Sequence, residues 1–215
     1  MYRKHFIPLE SNPDVFNELI HRLGASKNLR FEDVYTLDDP HLLPRPALAA
    51  ILVIPTTTKF EAKKAALESS RADYAGRGPD EPVVWFKQTI NNACGLYAIL
   101  HALSNGRARE LRSHILESST ELEEAYASVA SKGVSAVPDD PEEEVDFHYL
   151  CLTSSTHGYL YELDGDTKGP FSRQVKLDPA GDVLGPRSIA CIKSYIDHEV
   201  DSIGFNLMVL IEDRE

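Results

Sequence analysis

Cys94 has the sequence setting of a nucleophile. Apolar residues follow it at helical spacing, namely Leu96, Ile99, Leu100 and Leu103. The pattern predicts a helix that holds Cys94 in its first turn and ends at Gly106. In a first turn, unpaired backbone N–H groups and the positive end of the helix dipole stabilise a thiolate, the reactive form of cysteine. Residue type and position therefore indicate covalent catalysis by a thiol.

The other two cysteines have a plainer interpretation. Cys151 falls in the middle of a predicted strand and Cys191 in the middle of a predicted helix, where cysteine serves as a small buried hydrophobic residue. The three cysteines are odd in number and widely spaced, with no C-x-x-C pair that could bind zinc or form a redox couple. We therefore predict reduced thiols, and neither a metal ion nor a cofactor.

Thiol attack on a carbonyl also needs donors for the oxyanion that develops. Gln88 lies six residues before Cys94, in the loop that joins a predicted strand to the helix, and its side-chain amide can donate a hydrogen bond. The backbone N–H of Cys94 can serve as the second donor. A glutamine in a loop is commonly only solvated, so this role depends on its place beside the nucleophile.

One of the eight histidines is the best candidate for the base. His101 follows Cys94 by two helical turns, about 10.5 Å along the axis, which is too far for a hydrogen bond. His157 falls in the predicted hairpin turn and should be exposed. Five others fall at predicted surface positions and have no evident acid partner: His5, His21, His41, His114 and His198. His148 lies inside a mainly apolar strand, where an imidazole is costly unless it is hydrogen-bonded. It is either a satisfied core histidine or the base.

The predicted hairpin supplies an acid partner for His148. Its two strands flank a polar turn centred on Thr156, and the second strand ends on Asp164. His148 and Asp164 are equidistant from Thr156, so a symmetric register predicts that they are direct cross-strand partners on one face of the sheet. A carboxylate in that place orients the imidazole and stabilises its charged form. The resulting chain order of Cys94, His148 and Asp164 is that of papain-like enzymes.

The rest of the chain predicts helices and strands in mixed order. Helices are predicted at 13–23, 94–105, 120–131 and 188–198, and a polar helix is predicted at 59–74, before the glycines and proline at 76–79. Strands are predicted at 31–37, 47–54, 83–86, 145–152, 159–164 and 205–211. This order indicates an α/β (α+β) fold with a largely antiparallel sheet. A chain of 215 residues, 42% of them hydrophobic, suits a single domain over 1–215.

Composition and charge narrow the class of partner. The formal net charge of −12, from 22 Lys+Arg against 34 Asp+Glu, argues against nucleic acids and anionic membranes as partners, because phosphate contacts require an excess of cations.

The longest apolar run, 47–54, is far shorter than the about 20 residues that cross a bilayer. The first residues lack the apolar stretch of a signal peptide. We therefore expect a monomer in the cytoplasm, with the nucleus also possible.

Three motifs resemble those of the ubiquitin C-terminal hydrolases. The segment Gln88–Gly95, QTINNACG, is similar to the nucleophile motif of that family. The segment Val145–Tyr149, VDFHY, is similar to its histidine strand, and Leu160–Gly165, LYELDG, is similar to its acid motif. Flanking segments agree with the family from about Phe6 to Ile211.

The resemblance implies a fold, a reaction and a partner. The fold would be a papain-like ubiquitin C-terminal hydrolase fold, with a six-stranded sheet, flanking helical lobes, a knotted backbone and a crossover loop at about 132–144. Cys94 would be the nucleophile, His148 the general acid/base, Asp164 the residue that orients His148, and Gln88 the oxyanion donor. The partner would be ubiquitin or a ubiquitin-like modifier, whose basic tail suits an acidic surface, and no cofactor is implied.

One departure from the family leaves a second function open. The stretch between Cys94 and His148 is shorter than in family members, and the loss falls between about Ala108 and Leu116, where the family has an extra helix. A chain whose site is left unassembled by this loss would bind ubiquitin without turnover. A third hypothesis is a different papain-like cysteine hydrolase, which would share the three site residues but need neither the crossover loop nor the acidic face.

Overall fold

Six strands form one antiparallel sheet in the computed structural model of the protein. The strands are β1 (Leu29–Asp33), β2 (Ala47–Pro55), β3 (Phe147–Ser154), β4 (Tyr159–Leu163), β5 (Phe171–Lys176) and β6 (Asn206–Glu212). They lie in the order β1-β6-β2-β3-β4-β5, and each neighbouring pair is antiparallel. Helices described beside it are α1 (Pro13–Arg22), α2 (Thr58–Ser69), α3 (Cys94–Ser104), α4 (Ser119–Ala130) and α5 (Pro186–His198). The predicted α/β (α+β) fold with a six-stranded sheet is confirmed.

The structure describes Tyr2 and residues 4–76, 78–110, 119–130, 132, 146–179, 181–198 and 204–213. Apart from Lys132, the expected crossover loop at about 132–144 lies outside these residues. The segment 111–118, which contains much of the expected shortening, lies outside them as well. The knotted backbone and the crossover therefore stay predictions. Within the described ranges, no helix is long and apolar enough to cross a membrane.

β2 is the central strand because it is apolar along its whole length. All nine of its residues are buried, and successive side chains of a strand point to opposite faces of the sheet. Ile51 accordingly packs in a first core with α1, α3 and α4, whereas Leu52 packs in a second core with α5. The sheet therefore separates two hydrophobic cores that share its central strands.

The first core fixes α3, the helix that begins with Cys94. α1 begins at Pro13 after Asn12, whose side chain accepts a hydrogen bond from the Asp14 backbone N–H at 2.9 Å. One stripe of α1 is buried, as predicted: Val15, Phe16, Leu19 and Ile20. α3 is buried over its whole length, as a core helix is, so packing on all sides holds its first residue in place.

α2 differs from α1 and α3 because none of its residues is fully buried. The Thr57 side chain caps its start by accepting a hydrogen bond from the Phe60 backbone N–H at 3.0 Å. The helix ends at Ser69, short of the predicted end at Tyr74. The chain leaves the helix there because the Tyr74 backbone N–H donates to the Lys168 carbonyl at 2.7 Å, in the loop after β4.

Residues 83–86, predicted as a strand, lie outside the sheet. Side chains of α3 and its C-cap satisfy their backbone groups in place of a neighbouring strand. The Asn105 side chain accepts from the Val84 backbone N–H at 2.7 Å and donates to the Val84 carbonyl at 2.9 Å. His101 Nε2 accepts from the Phe86 backbone N–H at 3.0 Å. The sixth strand is instead β5, which was not predicted because none of its residues is fully buried and its apolar pattern is weak.

The β3–β4 hairpin does not have the symmetric register that was predicted. The paired residues of the two strands are centred on His157 instead of Thr156. If this register is extended by one residue, Asp164 lies opposite Leu150, which is two positions from His148. The cause is a three-residue loop that ends at Gly158, whose φ of +71° suits the last position of such a loop. A shift by two positions preserves the face of the strand. The two side chains are therefore diagonal neighbours on one face, and the prediction of direct pairing was wrong.

Replacing Ile51 by Ala should lower the free energy of unfolding by about 2–5 kcal/mol, because the change opens a cavity beneath a side chain with no solvent exposure. Urea unfolding followed by circular dichroism measures the loss. Leu42 is the matched control, since it is 67% exposed and its replacement by Ala should cost less than about 0.5 kcal/mol. Equal losses in the two variants would contradict the central place of β2.

Candidate active site

Cys94 is the first residue of α3 and is 7% exposed. The chain reaches it through a sharp turn in which Asn92 has a φ of +56°, a left-handed conformation that asparagine tolerates better than most residues. The cap residue, Ala93, has a methyl side chain that cannot accept a hydrogen bond. The backbone N–H groups of the first turn, which have no acceptor within the helix, are therefore left to serve the site.

The loop before Cys94 is held from two sides. The Tyr97 hydroxyl, one turn into α3, accepts from the Thr89 backbone N–H at 3.1 Å. Asn91 pairs with the N-terminal segment, because its N–H donates to the Lys4 carbonyl at 2.9 Å and its carbonyl accepts from the Phe6 N–H at 3.0 Å. These bonds fix the backbone that places the nucleophile.

His148 and Asp164 meet as a buried ion pair. His148 Nε2 lies 2.9 Å from Asp164 Oδ2, and both side chains are nearly buried. The ring N–H is not aimed closely enough at that oxygen for a well-formed hydrogen bond. Such misalignment is common in unliganded active sites, whose hydrogen bonds tighten when a ligand binds. His148 and Asp164, which the predicted hairpin indicated as partners, therefore lie together in the structure.

Cys94 and His148 come from different cores. Cys94 packs in the first core, whereas His148 lies on the same face of β3 as Leu150 of the second core. The two side chains nevertheless interact, and the contact with Cys94 is one of the causes that raise the pKa of His148. The three residues therefore meet where the two cores meet, at the end of the sheet where β3 begins.

The ion pair shifts the pKa values of both of its members. Burial alone would lower the pKa of His148, but the carboxylate of Asp164 and the contact with Cys94 outweigh it and raise the pKa to about 10. Burial alone would raise the pKa of Asp164, but His148 and Lys64 outweigh it and hold the pKa well below its usual value. The favoured state at neutral pH is therefore an imidazolium beside a carboxylate.

Gln88 is 7% exposed and lies against the acid motif. Its backbone N–H donates to the Gly165 carbonyl at 2.8 Å, and a Cβ on Gly165 would come within 3.1 Å of the Gln88 Cβ. The side-chain amide Nε2 donates one hydrogen to the Ile90 carbonyl at 3.0 Å, which leaves its second N–H for another acceptor. A glycine after Asp164 therefore permits the close approach of the two motifs.

Two residues that support the site were missed by the sequence argument. His101 is fully buried, and burial lowers its pKa to about 4, so the neutral ring can accept a hydrogen bond from the segment that carries Gln88. Lys64 Nζ lies 3.2 Å from Asp164 Oδ2 and 2.8 Å from Asp166 Oδ2. No local pattern could reveal either role, because both depend on a partner distant in the chain.

The remaining candidates lie elsewhere. Cys151 is completely buried in β3, where burial raises the pKa of its thiol well above the usual value, and Cys191 is half-buried on α5. Both positions agree with the plainer interpretation. His21 Nε2 lies 2.9 Å from the Leu29 carbonyl, away from the site. The described ranges contain no group of three or more His, Cys, Asp or Glu residues that could hold a metal ion.

Replacing Asp164 by Asn should lower the pKa of His148, because the largest cause that raises it is removed while burial remains. NMR titration of the ring in a Cys94→Ala background avoids overlap with the thiol. The imidazolium should lose its proton about one to three pH units lower than with Asp164 present. Asp80→Asn, at an exposed carboxylate, is the control and should leave the midpoint unchanged. An unchanged midpoint in Asp164→Asn would contradict the pairing.

Known proteins resemble this chain over nearly its whole length. Ubiquitin carboxyl-terminal hydrolase 3 of Arabidopsis thaliana is 32% identical, with 96% of this chain and 94% of that protein covered. Ubiquitin carboxyl-terminal hydrolase isozyme L1 of Homo sapiens is 27% identical, with 94% and 96% covered. A crystal structure of the Trichinella spiralis UCH37 catalytic domain bound to ubiquitin vinyl methyl ester has a TM-score of 0.69 at 23% identity, covers 99% of this chain and 98% of that one, and shares the fold.

A family model agrees with these relatives. The model described as ubiquitin carboxyl-terminal hydrolase, family 1, matches residues 6–112 and 106–197. Together the two matches span far more than half of the chain, and they include the three motifs from which the resemblance was drawn. The expected family and the expected class of enzyme, a cysteine peptidase, are confirmed. The chain therefore belongs to ubiquitin carboxyl-terminal hydrolase family 1.

Proposed function

We propose that this chain is a thiol-dependent hydrolase that releases small adducts or short peptides from the C-terminal glycine of ubiquitin, through an acyl-enzyme on Cys94. The observation that carries the proposal is the buried ion pair of His148 and Asp164 beside a cysteine that opens a helix. A buried ion pair is weak evidence for a stabilising role, because apolar residues of similar volume often serve as well. A catalytic role accounts for it better.

In the first step the Cys94 thiolate attacks the carbonyl carbon of the terminal glycine of ubiquitin. A sulfur–carbon bond forms, and the carbonyl oxygen becomes an oxyanion. The backbone N–H of Cys94 and the free N–H of the Gln88 side chain are proposed to donate hydrogen bonds to it. These donors are fixed before the reaction, so the charge that develops is stabilised without reorganisation.

His148 would move the proton in both halves of the reaction. Its imidazolium protonates the leaving amine or thiol as the bond to the glycine breaks, which leaves a thioester on Cys94. The neutral ring then takes a proton from water, which attacks the thioester and releases ubiquitin with the thiolate. Asp164 keeps the ring oriented and stabilises its charged form in each half-reaction.

Ubiquitin is the proposed partner, and a ubiquitin-like modifier is the nearest alternative. The net charge of −12 complements a basic tail, and one solved structure of the same fold is bound to ubiquitin vinyl methyl ester. The same charge supports the proposal that no nucleic acid or membrane surface is bound. Comparison of kcat/KM for matched ubiquitin and ubiquitin-like conjugates decides between the two modifiers.

We further propose that residues 1–215 form one catalytic domain that acts as a monomer in the cytoplasm. The family match from 6 to 197 and the sharing of one sheet by both cores support a single domain. Three free cysteines suit a reducing compartment. The resemblance also implies that the crossover loop at about 132–144 arches over the active site and limits the size of the group that can leave. This stays a prediction, because that loop lies outside the described residues apart from Lys132.

Replacing Cys94 by Ala should abolish hydrolysis of a fluorogenic ubiquitin C-terminal amide, whereas Cys151→Ala and Cys191→Ala should retain it. Only Cys94 lies at a helix start beside an imidazole. A ubiquitin probe with an electrophilic C-terminus should label Cys94 covalently in the unaltered chain. Reversible binding without labelling would instead support a ubiquitin-binding protein, and cleavage of a short peptide at the same rate would support another papain-like hydrolase.

Replacing Gln88 by Ala should lower kcat by about 10²–10³, the usual cost of removing one oxyanion donor. The dissociation constant for ubiquitin, measured on the Cys94→Ala background, should change little because the donor acts on a charge that appears only during the reaction. Thr89→Ala, in the same loop, is a control for local disturbance. A loss of affinity with kcat unchanged would assign Gln88 to binding.

A further inference from the structure

The side of α2 that packs against the protein carries charged residues. Among its residues, only Phe60, Lys64 and Glu68 are half-buried while the others are exposed, and their spacing of four places them on one face of the helix. The Phe60 ring lies against the His148 ring, with their centroids 6.5 Å apart. One turn further on, the Lys64 ammonium contacts the carboxylate that pairs with His148. One helix face therefore backs both His148 and its acid.

Lys64 shares a single oxygen atom with His148. Asp164 Oδ2 lies 3.2 Å from Lys64 Nζ and 2.9 Å from His148 Nε2, while Oδ1 accepts from the Asp166 backbone N–H at 2.8 Å. The Lys64 side chain is only 14% exposed, so its charge is largely removed from water. Lys64 also contacts Asp166 Oδ2 at 2.8 Å, and Asp166 Oδ1 accepts from the Tyr2 hydroxyl at 3.0 Å.

Lys64 is not needed to attach α2. The end of the helix is tied to the loop after β4 by separate bonds. The Lys168 ammonium donates to the carbonyls of Glu68 at 2.9 Å and Arg71 at 3.0 Å. The Arg71 guanidinium donates to the carbonyls of Gly169 at 3.1 Å and Pro170 at 2.9 Å. An ion pair that served only to attach the helix would be redundant here.

We propose that Lys64 is a positioning residue of the active site, which holds the Asp164 carboxylate ionised and in place against His148. The inference rests on the proposed function, in which Asp164 orients the imidazole. The Asp166 backbone N–H holds Oδ1, and the Lys64 ammonium fixes Oδ2, the oxygen that faces the ring, and keeps it charged. Lys64 thereby acts on catalysis through Asp164, without contact to the substrate.

The sign of the pH effect follows from the charges in this cluster. The groups that face Lys64 are Asp164 and Asp166, with His148 beyond the first and Tyr2 beyond the second. Removing the ammonium withdraws a positive charge from the cluster and loosens the carboxylate that stabilises the imidazolium. The first change disfavours loss of the thiol proton from a cluster in which His148 is already an imidazolium, and the second weakens the imidazolium that stabilises the thiolate. The pair should therefore form at higher pH when Lys64 is neutralised.

The test compares Lys64→Met with Lys64→Arg, and with Lys63→Met at the next, exposed residue of the same helix. Hydrolysis of a fluorogenic ubiquitin conjugate gives kcat and KM. Iodoacetamide alkylation of the peptide that contains Cys94, followed by mass spectrometry across pH, reports the thiolate without any need for ubiquitin. Urea unfolding establishes that each variant is folded, and Lys64→Gln replaces Lys64→Met if the latter unfolds.

We expect Lys64→Met to lower kcat about tenfold to a hundredfold with KM little changed, and to move the alkylation midpoint to higher pH. Lys64→Arg should restore both properties to within a few fold, and Lys63→Met should change neither. A folded Lys64→Met protein with unchanged kcat and midpoint would overturn the proposal, as would lost activity with an unmoved midpoint. If the unaltered chain fails to hydrolyse the conjugate while the midpoint still moves, the proposed function fails and the role of Lys64 stands.

Discussion

The rest of the site depends on one buried carboxylate, that of Asp164. A charged group away from water is costly unless it is paired and hydrogen-bonded, and burial by itself would protonate it. His148, Lys64 and the Asp166 backbone N–H together outweigh that cost. Each compensating group comes from a different part of the chain, so β3, α2 and the loop after β4 must all be in place before the charge is stable.

The nucleophile depends on a different constraint, the complete burial of α3. A helix packed on all sides cannot slide or rotate, so its first residue has one position. The segment before it is secured by the polar side chains of His101 and Asn105 instead of a strand ladder. These bonds leave Gln88 beside Gly165, and they join the loop of the nucleophile to the loop of the acid. The candidate active site lies where the two cores meet, because Cys94 packs in the first core and His148 lies on the face of β3 that borders the second.

Several elements could be predicted because their signals are local. The capped start of α1, the apolar run of β2 and the helix that begins at Cys94 each follow from neighbouring residues. Elements stabilised by distant side chains could not be predicted. The segment 83–86 has the composition of a strand but no strand partner, β5 has a weak apolar pattern, and the hairpin register changed with one left-handed residue, Gly158.

The amino-acid sequence by itself determined the candidate nucleophile, the base, the acid and the oxyanion donor, because each lies in a motif of adjacent residues. It also determined the family and the fold class. Only the tertiary structure decided how these residues meet: as diagonal neighbours on a hairpin, with Lys64 on the far side of the acid. The physical reason is that a charge pair is set by distance in space, and Lys64 is separated from Asp164 by 100 residues of chain.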